Sequence, residues 1–332
     1  MVGVAHYFRI LRVCLFRWST DQVDPAERFD HWREVRAKGL FGVTAELERE
    51  RREHFHGEFA LQPIGEAGLI EIRASSYRVE RTAGDITDAP SDSLCIYQQL
   101  SQGGWFDTLR EDFTVRSGTF ATSYSDLKYR TIPTGADGFR LRILKIPLAE
   151  IAPSRSGVHD LVAKPFDDGL AIGPLLQSCF ADLVDAAGRP EAPEASRLMD
   201  AVAHLALIGR GVVGLGSKAA VQALRVGRLS AAQRLIAGQL SNPNLSPAFV
   251  ADRLGISVRH MHELFETTEK SFSQTVTALR ASRGLLMSAP QRSISDVAFA
   301  CGFESLATFY RAFRAAQGTT PGDFRAQRVS GS

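Results

Sequence analysis

The chain has little with which to carry out covalent or redox chemistry. Its four cysteines, Cys14, Cys95, Cys179 and Cys301, stand far apart in 332 residues, and no CxxC pair occurs. That spacing excludes a cysteine zinc site and a disulfide framework, and fits reduced thiols in a cytoplasmic protein. No run of about 18 uncharged apolar residues is present, so no segment is predicted to span a membrane. No phosphate-cradling loop, nucleophile elbow or zinc-helix motif is found, and the Gly-rich run "GRGVVGLG" (209–216) follows a helical pattern and not a strand. No histidine lies between Gly57 and Val158. The expectation is a protein with no catalytic residues, no bound metal and no cofactor.

Net charge is also nearly absent, at +2, but its distribution is uneven. From Arg225 to Ser332 there are 13 Lys/Arg against 7 Asp/Glu, a balance of +6; the remainder of the chain holds 26 against 30, a balance of −4. A basic C-terminal third on a mildly acidic body points to a polyanion-binding domain attached to something else. The length predicts two domains. At the N-terminus, Met1–Trp18 is apolar but interrupted by Arg9, Arg12 and Arg17, which does not suit a secretory core. Residues 1–23 read as a flexible lead, or as a start placed too far upstream.

Periodicity divides the rest. Residues from about Asp24 to Glu53 are predicted helical, with Phe29, Trp32, Val35 and Arg36 on one face and Gly39 as a stop. Between Leu69 and Pro147 the pattern is β: in "GFRLRILKIP", Phe139, Leu141 and Ile143 alternate with Arg140 and Arg142. Several short strands at close spacing predict an antiparallel sandwich or barrel, and no βαβ alternation is visible. After Gly169 the helical period returns, with stripes on Leu170, Leu175, Leu176, Cys179, Phe180, Leu183 and Val184, then Leu198, Val202, Leu205 and Ile208. These two stripes are either core or a dimer surface. The predicted division is 1–23 lead, 24–168 β-rich domain, 169–208 helical pair, 209–224 linker and 225–328 helical domain.

The last of these carries the informative motifs. After "LSAAQRLIAGQL" (229–240), with Ser230 as a cap, "LSPAFVADRLGISVRHMHELFE" (245–266) places Ser246 and Pro247 at a helix start, Gly255 at a turn and Ser257 at the cap of a second helix. Helix, Gly-containing turn, helix is the helix-turn-helix arrangement. "SISDVAFACGFESLATFYRAFRAA" (293–316) repeats it, with Ser295 as cap, Gly302 at the turn and a helix from about Glu304 carrying Leu306, Phe309, Tyr310 and Phe313. Between the units, "SFSQTVTALRASRGLLMSA" (271–289) reads as a connecting helix of about 24 Å. Together with the width of its neighbours, this can hold two recognition helices at the ~34 Å that separates successive major grooves.

The segment from about Arg225 to Gln327 resembles the DNA-binding domain of the AraC/XylS family of transcription regulators. The resemblance rests on "ISDVAFACGFESLATFYRAFRAAQGTTPGDFR", with its ending on Gly318, Thr320, Pro321, Phe324 and Arg325. "HWREV", "YRVERT" and "SGTFATSYSD" resemble the β-rich ligand-sensing domain of one branch of that family. The resemblance implies an α+β chain: an N-terminal antiparallel, cupin-like β-barrel with a helical pair, then an all-α domain of two helix-turn-helix units. It also implies a sequence-specific DNA-binding regulator, cytoplasmic and nucleoid-associated. Its partners would be double-stranded DNA, a small-molecule effector, RNA polymerase and a second copy of the chain.

In the first unit, Val258, Arg259, His262 and Glu263 are predicted to face outward. Arg259 can hydrogen-bond guanine O6 and N7, and Glu263 can accept from cytosine N4. The resemblance implies that Arg259, His262 and Glu263 contact bases. In the second unit Ser305, Ala307, Thr308 and Arg311 are predicted to face outward, the Ala307 and Thr308 methyls suiting a thymine methyl. Leu306 matches a family contact position, where core packing competes for it. Ser257, Arg280, Arg283, Arg292, Arg314 and Arg325 are the phosphate-contact candidates, which would set affinity and its salt dependence and not sequence preference.

For an effector pocket the candidates are Tyr77, Tyr97, Trp105, Phe120 and Tyr124, with barrel core as the competing role. Two other readings stay open. "HFHGEF" brings His54, His56 and Glu58 together, the germ of a metal-dependent cupin enzyme fused to a DNA-binding domain, although the spacing is short and a later histidine is lacking. A regulator controlled by a protein partner and no small ligand is the other.

Overall fold

Alternating apolar residues in 139–147 make a strand that one face of a sheet can bury, and that strand is the centre of the N-terminal architecture. The computed structural model describes residues 15–135, 138–151, 157–166, 171–188, 193–242, 244–286 and 292–330. The chain divides into two units, Met1–Leu224 and Arg225–Ser332.

In the first unit a seven-stranded antiparallel sheet comprises β1 (Phe16–Ser19), β3 (Gly57–Ile64), β4 (Ala67–Ala74), β11 (Phe139–Pro147), β6 (Ser93–Ser101), β9 (Phe120–Tyr124) and β12 (Lys164–Pro165), in that spatial order. β11 lies between β4 and β6, with Ile143 opposite Ile70 on one side and Tyr97 on the other. A second sheet runs β2 (Thr44–Glu46), β5 (Arg78–Arg81), β10 (Tyr129–Pro133), β7 (Gly104–Asp107) and β8 (Asp112–Val115). Residues of both sheets share one core, including Phe59, Ile70, Ile72 and Ile143 from the first and Ala45 and Val79 from the second. The expected antiparallel β domain is thus built of two sheets, and among the described residues no ladder joins them.

The N-terminal reading needs correction at three points. Residues 16–19, expected within a flexible lead, form the edge strand β1, held in register by β3 from Phe16 opposite Leu61 to Ser19 opposite Glu58. The preceding residues 1–14 lie outside the described ones. The helix expected over Asp24–Glu53 is shorter. Helix α1 (Arg28–Trp32) continues as a π-helical stretch, Arg33–Phe41, and ends at Gly42, whose φ of +61° puts it in the left-handed region. Gly39 sits inside that stretch. Only the four-residue α2 (Arg49–Arg52) follows before β3, and α3 (Ala83–Asp88) lies further on.

Helices α4 (Ile172–Ala187) and α5 (Pro193–Gly209) pack on each other and on the large sheet; Leu170 of the predicted stripe lies outside the described residues. Phe180 meets Phe120 edge-on at 5.2 Å. Every residue of 201–207 is buried, so that part of α5 is covered all round in the manner of a core helix. Arg210, just past its end, donates to the Thr122 and Val162 carbonyls at 2.9 and 3.0 Å. Of the apolar stripes, Leu176, Cys179, Phe180, Leu183, Leu198, Val202 and Leu205 are buried in this unit, while Leu175, Val184 and Ile208 are half-buried.

The predicted linker 209–224 is helical from Lys218, where α6 (Lys218–Gly238) begins. Ser217 caps it by accepting the Ala220 amide at 3.1 Å, whereas Ser230, expected as a cap, is buried in mid-helix. The second unit continues with α7 (Pro247–Arg253), α8 (Val258–Phe265), α9 (Phe272–Leu286), α10 (Ile294–Ala300), α11 (Leu306–Gln317) and α12 (Pro321–Ser330). Two cores result. Ile236, Leu240, Val250, Met261, Leu264, Phe265, Phe272 and Val276 form the first; Ala281, Val297, Ala298, Cys301, Phe303, Phe309 and Phe313 form the second. Helix α9 contributes to both, at about 22 Å long for its 15 residues.

Candidate nucleic-acid interface and effector cavity

The first unit of the DNA-facing domain is set by two serine caps and one turn. Ser246 Oγ accepts the Phe249 amide at 3.2 Å with Pro247 at the first helical position, and Ser257 Oγ accepts the His260 amide at 3.1 Å. Gly255, at φ +62°, turns the chain between them. Met261, Leu264 and Phe265 are buried, which leaves Val258, Arg259, His262 and Glu263 outward on α8. The Arg259 side chain is 90% exposed and its Nε donates to Glu263 Oε1 at 3.0 Å. So exposed a pair contributes little to stability and separates readily, freeing both groups for base edges. Glu263 also offers its carbonyl to Arg225 Nη2 at 3.4 Å.

The second unit repeats the arrangement with shifted caps. Ser293, not Ser295, caps α10: its Oγ accepts the Asp296 amide at 3.0 Å. The expected start of the next helix at Glu304 moves to Leu306, because Ser305 is the cap and accepts the Thr308 amide at 3.2 Å. Phe309 and Phe313 are fully buried, while Leu306, a base-contact candidate, and Tyr310 are each 39% exposed. Ala307, Thr308, Arg311 and Arg314 complete the exposed face of α11, with Arg311 Nη2 3.5 Å from Thr308 Oγ1.

Two of the arginines expected on phosphate also hold this domain together. Arg280 Nε donates to the Leu240 carbonyl at 3.0 Å, and burial lowers its pKa from the ordinary arginine value. A Cβ on Gly302, which has φ +90°, would fall 2.1 Å from that same carbonyl oxygen and 2.9 Å from Arg280 Nε. Ser241 Oγ donates to the Ala300 carbonyl at 2.9 Å beside it. Arg325 Nη1 donates to the Arg292 carbonyl at 2.7 Å, tying α12 to the start of α10. Arg292 and Arg314 are exposed, and the Arg283 side chain lies outside the described residues.

In the N-terminal unit a cavity of about 60 Å³ opens between the two sheets, walled by Phe41, Tyr77, Tyr97, Phe106, Tyr129 and Arg36 among others. Of the five residues expected to line a pocket, Tyr77 and Tyr97 do. Tyr97 donates to or accepts from Ser123 Oγ at 3.1 Å, and burial pushes its phenol well up. Trp105, Phe120 and Tyr124 lie elsewhere. Trp105 Nε1 is 3.4 Å from Asp112 Oδ2, Phe120 packs on α4, and Tyr124 donates to Asp92 Oδ1 at 3.0 Å. His56 Nδ1 is 3.3 Å from Asp21 Oδ1 and ring atoms of His56 are 3.4 Å from Arg28 Nη1. Among the described residues no group of three His, Cys, Asp or Glu side chains gathers to hold a metal.

Residues 250–327, from α7 to α12, match the family described as Helix-turn-helix domain. Over 323 residues the chain is 25% identical to the Transcriptional activator NphR of Rhodococcus sp, covering 93% of this chain and 92% of that one. A crystal structure of the AraC-like transcriptional activator CuxR shares the fold at a TM-score of 0.50 and 19% identity, covering 86% of this chain and all of that one. The chain is a DNA-binding transcription regulator with a helix-turn-helix domain at residues 250–327. In this regulator the family match spans both recognition helices, while the likeness to NphR runs on through the N-terminal unit. No described helix is long and apolar enough to cross a membrane.

Sequence reasoning missed Tyr310 as a surface residue, and it missed Arg36, Phe41, Phe106 and Tyr129 as cavity wall. For Arg36 a signal was present: it shares a helical face with Phe29 and Trp32, an improbable place for an arginine unless it is used.

Proposed function

We propose that the regulator is an effector-responsive activator, without enzymatic activity of its own, that reads two adjacent major grooves per subunit with α8 and α11. What supports the reading most is a pair of capped helices, each with a buried apolar side and an exposed polar side, that share the helix α9 between their cores. Arg259, His262 and Glu263 read bases from α8, and Leu306, Ala307, Thr308 and Arg311 read from α11. Ser305 serves first as a cap. Ser257, Arg292 and Arg314 face phosphates, with Arg283 assigned there from sequence alone. The sensor unit takes a small molecule, and the regulator works in the bacterial cytoplasm as a nucleoid-associated homodimer that recruits RNA polymerase. Its relative NphR is a transcriptional activator.

The test is a set of duplex affinities measured by fluorescence anisotropy for wild type and R259A. R259A is expected to cost roughly 1–3 kcal/mol and to relax preference at one base position. R314A is expected to weaken all sequences alike and to reduce the salt slope by about one. A uniform loss across sequences for R259A would place that guanidinium on phosphate.

A further inference from the structure

The cavity of the sensor unit is walled largely by apolar and aromatic groups, and no acidic side chain lines it. Yet Arg36 sits in its wall at 5% exposure, with Nε and Nη1 lacking any hydrogen-bond partner. A buried guanidinium without a carboxylate carries a heavy desolvation cost, so a partner from outside the chain is the natural remedy. Arg36 is not alone. The Tyr77 hydroxyl and Trp32 Nε1 are also buried, with no hydrogen-bond partner beyond each other. The Arg36 guanidinium carbon lies 5.7 Å from the Tyr77 ring centre and 6.0 Å from that of Trp32. Two buried polar groups, the Arg36 guanidinium and the Tyr77 hydroxyl, thus stand in the wall of an apolar cavity, with Trp32 behind Tyr77.

The complement of such a cluster is a group that only accepts, and an ionised carboxylate is the acceptor-only group whose two oxygens match a guanidinium fork. The Phe41 ring centre is 4.8 Å from the Arg36 guanidinium carbon and 5.7 Å from Lys145 Nζ, so a second basic side chain stands beside the cavity wall. The volume limits the remainder of the ligand. About 60 Å³ is well below the ~150 Å³ of a cavity that accommodates benzene, so the body is compact unless the wall yields. A phosphate dianion would lose far more hydration than a monocarboxylate in the same apolar surroundings.

We infer that the effector is a compact monocarboxylic acid bound as its anion, its carboxylate on Arg36 and Tyr77 and its apolar body against Phe106, Tyr129 and Leu141. This rests on the reading of the N-terminal unit as an effector sensor.

The experiment is thermal unfolding and titration calorimetry of the full chain with acetate, butyrate, hexanoate and benzoate, each beside its primary amide and its alcohol, on wild type and R36M. A carboxylate is expected to raise the Tm of wild type by several degrees at saturating concentration, through mass action on the folded state. The matching amide and alcohol should do so far less. R36M should weaken that carboxylate roughly 10- to 100-fold, the span of a lost charged hydrogen bond. Without ligand, R36M should melt no lower than wild type, because a methionine of similar length removes an uncompensated charge and keeps contact with the rings. That last readout separates a ligand-binding arginine from a structural one, whose loss would lower Tm. Equal or tighter binding of the amides overturns the carboxylate assignment and leaves the effector reading in place. No binding by any carboxylate also overturns it, and the effector reading then rests on the neutral compounds in the same set.

Discussion

Replacing Asp126 with alanine should destabilise the N-terminal unit by about 3–5 kcal/mol, the usual cost of leaving one partner of a buried ion pair alone. The partner is Arg81, whose side chain is 2% exposed and 2.8 Å from Asp126 Oδ1. Arg81 also donates to the Ala89 carbonyl at 2.9 Å and to the Gly42 carbonyl, so it fastens the end of the helix that carries Arg36. Asp126 accepts in addition from the Ser91 and Asp92 amides at 2.9 and 2.8 Å. Burial opposes its ionisation, but those amides and Arg81 outweigh the burial and hold the carboxyl below its ordinary value of 3.8. A depressed carboxyl contributes stability that is complete above the unfolded pKa and is lost as pH falls through the folded one. Stability should therefore drop below about pH 4 more steeply in wild type than in D126N. At neutral pH, D126A should lower Tm by roughly 10 °C as read by circular dichroism, with any effector response reduced in parallel. A change of under about 1 kcal/mol would mean that Arg81 is satisfied by carbonyls alone.

The second large effect is expected at Gly302. Alanine there meets two costs at once: a left-handed φ of +90°, and a Cβ 2.1 Å from the Leu240 backbone oxygen, which no side-chain rotation relieves. We expect G302A to lose about 2–4 kcal/mol of domain stability and more than tenfold in DNA affinity, since the turn orients α11. Gly255 is the internal control. It has φ +62°, but nothing lies within 4 Å of its added Cβ, so G255A should cost only about 1–2 kcal/mol. Equal losses for the two variants, measured by urea unfolding of the full chain, would show that backbone strain and not the clash governs both.

Local signals were read well where the deciding contact is local. Ser246 and Ser257 each accept an amide three residues on, and Gly255 and Gly302 turn where a Gly between apolar stripes should. "SIS" was ambiguous because either serine can cap; Ser293 prevails, with Asp296 three residues later in the helix's first turn. The contacts that escaped are long-range. Arg280 and Arg325 looked like any basic surface residue, since their carbonyl partners are 40 and 33 residues away in the chain. Trp105, Phe120 and Tyr124 carry the right chemistry for a pocket but sit on strands and faces whose register the sequence does not announce. The Gly-rich run before α6 suggested a linker, and the helix nonetheless starts at Lys218, since Gly227 is tolerated in a helix whose Ala220, Ala223 and Ala232 are buried.

The central claim is that one subunit reads two successive turns of DNA through α8 and α11. Selection of bound duplexes from a random pool by the full chain tests it most directly. The account predicts an enriched site with two short elements whose centres lie about 10–10.5 base pairs apart, the first element losing definition in R259A and the second in a T308A/R311A variant. A single short element unaffected by the α11 substitutions, or binding without sequence preference, would contradict it.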